Sequence, residues 1–319
     1  MEARARATVV AGPRPRDGSR GAAGTAARGV AALLAGTVAA LAACGPLATP
    51  ATPPPSGTTA APPLAPGAAE QIRVEIRQSR SDQAARVVQL RVHAPPSTEV
   101  VVASAALEAA GFVGVAALES WDRRVPAGRT RDASVALGEA RCAEPSGDGR
   151  VRLVLADGAR TEVRTEAEDP QGHLARIHAE DCARAALTAA LDVEIGSGLA
   201  TSRGPDGLVA TLTLVLVPTR DAPEVVVESV EGTVLLGPAG GGTAWTAPPL
   251  GAVVEGPTTV RLPIVPTRCD AHAVAEDKRG TYLGLRATVA GRSLPTVPLD
   301  VGDELRGELR AFVADHCGW

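Results

Sequence analysis

The chain has 319 residues and a formal net charge of −4, a length that allows about two domains of roughly 100–200 residues each. An acidic chain lacks the basic footprint of a nucleic-acid binder. Its six scattered aromatic residues, Phe112, Trp121, Trp245, Tyr282, Phe312 and Trp319, make no ladder on which unpaired bases stack, so no nucleic-acid partner is expected.

Met1–Arg28 is polar and carries six arginines against Glu2 and Asp17. Val30–Ala43 follows as an unbroken apolar run of 14 residues. That is the length of a signal-peptide core and falls short of the roughly 20 residues a spanning helix needs. The run ends in Leu41-Ala42-Ala43-Cys44, which matches the bacterial lipobox: a branched apolar residue, two small ones beside the cut, then a cysteine whose sulfur takes the diacylglyceryl group. Residues 1–43 are therefore expected to be a lipoprotein signal peptide, and Cys44 a lipidated residue on the outer face of the cell membrane. Loss of residues 1–43 removes a net +4 and leaves about −8. Anionic headgroups repel such a chain, so attachment rests on the lipid.

Residues 44–69 are rich in Pro, Ala and Thr. Such a segment buries no core and favours extended polyproline II, which at about 3.1 Å per residue reaches up to about 75 Å. It reads as a tether.

The remainder reads as two copies of one unit. Ile72–Ile76 (IRVEI) returns as Leu191–Ile195 (LDVEI). Glu99–Val102 returns as Glu224–Val227, Arg141-Cys142 as Arg268-Cys269, and Ala179–Cys182 as Ala314–Cys317. The offsets are 119, 125, 127 and 135 residues and keep their order, the mark of a duplication with small insertions in the second copy. The copies are assigned to 70–186 and 187–319.

Within each copy, short segments alternate apolar and polar residues or are β-branched. They are Ile72–Arg77, Val87–His93, Val100–Ala103, Val151–Leu155, Thr161–Thr165, Thr211–Val217, Val225–Val230, Thr258–Ile264 and Tyr282–Val289. Turns such as Pro145–Gly149 and Pro238–Gly242 separate such segments. Short strands with Gly/Pro turns predict an all-β chain of two tandem immunoglobulin-like sandwiches. Helix is expected to be minor. The alanine-rich Ala103–Ala110 and Ala183–Leu191 are helical by propensity and stand against the all-β reading.

Of five cysteines, Cys44 takes lipid and four remain, in a compartment where disulfides persist. Four cysteines allow three pairings. The repeat selects Cys142 with Cys182 and Cys269 with Cys317, one bridge per copy, running to what is read as the last strand. The alternative is metal. Cys269-Asp270-Ala271-His272 has C-x-x-H spacing, and His316-Cys317 beside it would complete a tetrahedral zinc site. The first copy shows no such histidine spacing, so no metal is expected, and His272 and His316 are weak candidates for one. His173 and His178 read as surface residues of a strand.

No P-loop, dinucleotide fingerprint or G-x-S-x-G elbow is present; no cofactor and no catalytic residue are assigned. Arg268–Thr281 is the most charged and specific segment. It resembles an R-C-D-x-H-A-x-A-E-D-K motif of actinobacterial secreted or lipid-anchored proteins, best over the second copy and loosely over the first. The resemblance implies an envelope location and no particular activity. Asp270, His272, Glu276, Asp277, Lys278 and Arg279 form a candidate binding loop at one end of the sandwich. The expected function is a non-catalytic binding or structural module that meets an envelope protein or cell-wall component. A metal- or small-ligand-binding lipoprotein using His272, His316 and Asp270, and an enzyme with an unfamiliar site, stay open.

Overall fold

Period-two burial sets the strands. In Val87–His93, Val88, Leu90 and Val92 are fully buried; in Thr258–Pro266, Val260, Leu262 and Ile264 are. The computed structural model describes residues 64, 66–204, 207–270 and 281–319. Cys44, His272, Glu276, Asp277, Lys278 and Arg279 lie outside them. The described residues are all-β in character, in two immunoglobulin-like sandwiches with one disulfide each.

The first sandwich has eight strands: β1 (Arg73–Arg77), β2 (Val87–His93), β3 (Val100–Ala109), β4 (Ala116–Leu118), β5 (Arg123–Val125), β6 (Thr130–Ala136), β7 (Gly149–Leu155) and β8 (Glu162–Glu168). β1, β2 and β6 pair antiparallel, as do β3, β7 and β8, with β4 and β5 along the outer edge of β3. A short parallel pair, Val74↔Ala167 and Glu75↔Glu168, joins the two halves through β1 and β8. At the far ends β4 comes back against β6, so the sheet closes around its core. Between β7 and β8 the buried Asp157 accepts the Thr161 backbone N–H at 2.8 Å and its hydroxyl at 2.6 Å. Burial alone would raise this carboxyl. The two Thr161 bonds, with the backbone N–H groups of Arg160 and Asp157, together outweigh it and hold the group below the usual carboxylate range.

Helix α1 (His173–Ala190) follows. The Asp169 carboxylate accepts the backbone N–H groups of His173 and Leu174, each at 2.9 Å, and so satisfies two of the donors a helix start leaves open. Leu174 and Ile177, three apart, face the first core. Ala183, Leu187 and Ala190, at spacings of four and three, face the second. One helix thus belongs to both sandwiches and runs into the next strand at Leu191 without a linker. The boundary drawn from sequence between 186 and 187 falls inside it.

The second sandwich comprises β9 (Leu191–Ile195), β10 (Ala200–Gly204), β11 (Gly207–Pro218), β12 (Val225–Glu231), β13 (Leu236–Pro238), β14 (Ala244–Trp245), β15 (Thr258–Pro266), β16 (Tyr282–Val289), β17 (Arg292–Ser293) and β18 (Val297–Asp300), then helix α2 (Asp303–Cys317). β9 and β10 pair with β11, β11 with β15, and β15 with β13; the facing sheet joins β14, β12 and β16, with β17 and β18 on β16. These pairings repeat those of the first copy, with β9, β11, β12, β15, β16 and β18 standing for β1, β2, β3, β6, β7 and β8. The four matched sequence pairs occupy equivalent places in the two copies. The seam differs. Among the described residues β9 and β18 are not paired, and the C-terminal half of α1 packs against β9, β16 and β18 instead. The buried Trp245 indole spans the second sandwich and donates to the Pro263 carbonyl at 2.9 Å.

Two local expectations need correction. Ala103–Ala110 lies almost wholly in β3 despite its alanines, because its flanking partners β7 and β4 supply the ladder. Ala183–Leu191, by contrast, is helical up to Ala190, in line with its propensity. The second cysteine of each bridge is on a helix, not on a last strand: Leu305, Leu309, Phe312 and Val313 make a helical stripe buried in the second core. No helix among the described residues is long and apolar enough to cross a membrane.

Candidate functional site

The cysteines form the two bridges expected from the repeat. Cys142–Cys182 has S–S 2.09 Å and Cα–Cα 5.4 Å, and Cys269–Cys317 has 2.07 and 5.3 Å. Each ties the loop after the sixth-strand equivalent, β6 or β15, to the closing helix. Sulfurs bonded to each other are not thiolate ligands, so the zinc arrangement at Cys269 and Cys317 loses half its donors. His316 is also committed: its Nδ1 lies 2.5 Å from the Leu208 carbonyl, and its ring stands at 62° to Phe312. Asp270 is gripped by Arg268 through two hydrogen bonds of 3.0 and 3.2 Å on the surface. The other members of the candidate loop, His272, Glu276, Asp277, Lys278 and Arg279, lie outside the described residues.

His173 and His178 are not strand surface residues. Both lie on α1. His173 is buried at 8% exposure, with neither ring nitrogen hydrogen-bonded. Burial pushes its imidazole below the ordinary histidine range, with Asp169 opposing. His178 stands four residues before Cys182, and on a helix that spacing puts the two on one face. Its ring nitrogens lie 3.9 and 4.0 Å from Cys182 Sγ. The ring also lies edge-on to Phe112 at 5.7 Å, and its Nε2 is 3.3 Å from the Arg141 carbonyl. The sequence places its candidate histidine–cysteine spacings in the second copy; the structure brings a histidine and a sulfur together in the first.

One concave polar site was not read from sequence. Where α1 crosses from one sandwich to the other, a cleft of about 210 Å³ opens beside it. The turn before β2 supplies Gln83 and Arg86. α1 supplies Glu180, Asp181 and Arg184, and the second sandwich supplies Tyr282 and Asp300. Arg86 sits at φ 54°, in the left-handed region, a conformation that costs a non-glycine residue of order 1 kcal/mol or more. Its guanidinium donates to the Gly138 carbonyl at 2.6 Å and pairs with Asp181 Oδ2. Gly138 is required there, since a Cβ would meet the Val113 carbonyl oxygen at 1.9 Å. Asp181 is pushed up by burial, against the pull of Arg86 and Arg184. Arg86 Nε and Asp181 Oδ2 are buried without an aligned hydrogen bond among the described residues. The pair meets charge to charge.

Around it the other charges are held in place. Arg184 donates to the Pro298 carbonyl at 3.1 Å, across the junction between the two repeats. Glu180 pairs with Arg176 at 3.0 Å, and Arg176 also reaches Gln78. The Tyr282 hydroxyl donates to Asp300 at 3.3 Å, and Arg306 pairs with Asp300 at 2.7 Å. Among the described residues the lining contains guanidiniums, carboxylates, an amide and a phenol. Such a set suits the orientation of a small polar or mixed-charge group.

No family model matches the chain, and no curated protein matches it. Among solved structures, the exo-β-D-glucosaminidase CsxA, studied with a glucosamine-configured castanospermine and an amino-australine analogue, aligns at 15% identity and TM-score 0.17. Two structures of Amycolatopsis orientalis exo-chitosanase CsxA, one a complex with PNP-β-D-glucosamine, align at 15% and 16% identity and TM-score 0.18. Each alignment covers 71% of this chain and 26% of the other, so the chain spans about a quarter of the proteins it is aligned with. Likeness at that level transfers neither fold nor activity to this chain.

Proposed function

We propose that this protein is a lipid-anchored, extracytoplasmic binding module without catalytic chemistry, whose ligand or envelope partner engages the cleft between its two sandwiches. The observation that carries the reading is the cleft itself. Charges from three segments converge beside a helix shared by both cores, which is how rigid scaffolds present binding groups. The anchor rests on the apolar run Val30–Ala43, on the Leu41-Ala42-Ala43-Cys44 motif, and on the pairing of the other four cysteines. Two bridges suit an oxidising compartment. The envelope resemblance of Arg268–Thr281 agrees with that location.

The test uses the full tagged chain expressed in a bacterium that processes lipoproteins. The expected result is membrane recovery with acyl label on Cys44, and release of Cys44→Ala into the soluble fraction. A photocrosslinking residue placed at Arg184 should give an adduct that the same residue at exposed Arg292 does not. Membrane retention of Cys44→Ala overturns the anchor. Equal adducts from both positions overturn the cleft.

A further inference from the structure

The two bridges look alike in sequence but not in surroundings. Cys142 lies in an exposed turn, closed by the Glu144 N–H donating to the Arg141 carbonyl at 2.9 Å, while Cys182 is half-buried on α1. Cys142 is the more exposed of the two and the better placed to meet an attacking group. Cys182 Sγ is the sulfur on which the electron pair would leave, and that is the sulfur His178 faces at 3.9–4.0 Å. The imidazole is wedged in place. Phe112 stands at 82° to it, and the Arg141 carbonyl lies 3.3 Å from Nε2. A Cβ at Gly111 would meet the ring at 3.0 Å. The ring thus sits between the Arg141 carbonyl and the Cys182 sulfur, with Nε2 the nitrogen nearest to both.

In the second copy Cys269 is exposed and Cys317 half-buried, as in the first. His316 is next to Cys317 in the chain, and successive helix residues point about 100° apart. Its ring goes to the Leu208 carbonyl instead. Among the described residues no imidazole contacts either sulfur of that bridge, and the Trp319 indole donates to the Cys269 carbonyl at 3.1 Å.

We propose that Cys142–Cys182 is a thiol–disulfide exchange site for low-molecular-weight thiols, with Cys142 the attacked sulfur and His178 the residue that stabilises the departing Cys182 thiolate. The thiolate of the external thiol attacks Cys142 Sγ. A mixed disulfide forms between them, the Cys142–Cys182 bond breaks, and its electron pair leaves on Cys182 Sγ beside the His178 ring. A leaving thiolate stabilised in this way departs faster. The reverse attack by Cys182 expels the external thiol and restores the bridge, so no net oxidant is consumed. A groove of about 520 Å³, lined by Phe112, Val115 and Arg141, runs up to the residue before Cys142 and leaves room for the incoming thiol.

The probe is reduced glutathione added to the full-length protein in detergent. The reaction is quenched by alkylation, and the four bridge cysteines are read by peptide mass spectrometry over time. The expected product carries glutathione on Cys142 and an alkylated thiol on Cys182, and forms on the order of tenfold faster than any opening of Cys269–Cys317. His178→Gln should slow the first bridge on the order of tenfold and leave the second unchanged. The second bridge in the same molecule, with a thermal melt of the oxidised variant, separates this effect from misfolding. If His178→Gln melts early, His178→Asn takes its place. Glutathione on Cys182, equal opening of the two bridges, or an unchanged rate in a folded His178 variant overturns the proposal.

Discussion

If α1 is a common element of both cores, a cavity made where it meets the second sandwich must be felt in the first. Leu187 is 2% exposed in the second core, on the helix that enters the first core through Leu174 and Ile177. Leu187→Ala removes the buried side chain beyond Cβ. Collapse around the hole is limited, because the helix is held at its start by Asp169, in the middle by the Cys142–Cys182 bridge, and at its end by β9. The cost belongs in the upper part of the range for buried leucines, about 3–4 kcal/mol. With a urea slope of about 3 kcal/mol per molar, the midpoint falls by roughly 1 M. Hydrogen exchange by mass spectrometry across a urea series reads each repeat separately, through peptides from β3 and from β12. Both should lose protection at the same lowered midpoint. Exposed Thr188→Ala serves as control and should change stability by no more than about 0.5 kcal/mol. A lowered midpoint for β12 with β3 unmoved would refute the shared helix.

Four further outcomes follow from particular contacts. Asp181→Ala leaves Arg86 half-buried and uncompensated, and should cost about 1–3 kcal/mol; the double variant with Arg86→Ala should cost less than the sum of the singles in chemical denaturation. Gly138→Ala drives a Cβ into the Val113 carbonyl and should destabilise by about 1–3 kcal/mol, read as an earlier melt. Burial lowers the folded-state value of His173 below its unfolded one, so the unfolded chain binds the extra proton. The neutral ring's stability is present above about pH 6.5 and is lost as pH falls from there through the folded value. His173→Leu should flatten the melting temperature between pH 7 and pH 5, and an unchanged slope would count against a buried neutral ring. Replacing both cysteines of either bridge by alanine should cost roughly 4 kcal/mol, since the paired cysteines are 40 and 48 residues apart.

The strands were legible because alternation is a local property. Val87–His93 and Tyr282–Val289 coincide with β2 and β16. Helix α2 carries a readable signal, with Leu305, Leu309, Phe312 and Val313 at spacings of four, three and one. His178 was not legible in the same way: four residues from a cysteine is distant on a strand and adjacent on a helix, so its closeness to Cys182 depends on α1 having formed.

What the amino-acid order determined by itself was the strand content, the duplication and, through it, which cysteines pair. Each follows from periodicity or from likeness between two stretches of one chain, and neither needs a third dimension. The shared helix, the closed seam of the first sandwich against the helix-covered seam of the second, and the cleft at Arg86 and Asp181 were decided only by the tertiary structure. They depend on how residues 83–86, 177–184 and 282–306 meet across nearly the whole folded chain. Burial of the carboxylate that marks the cleft exists only once those segments are packed.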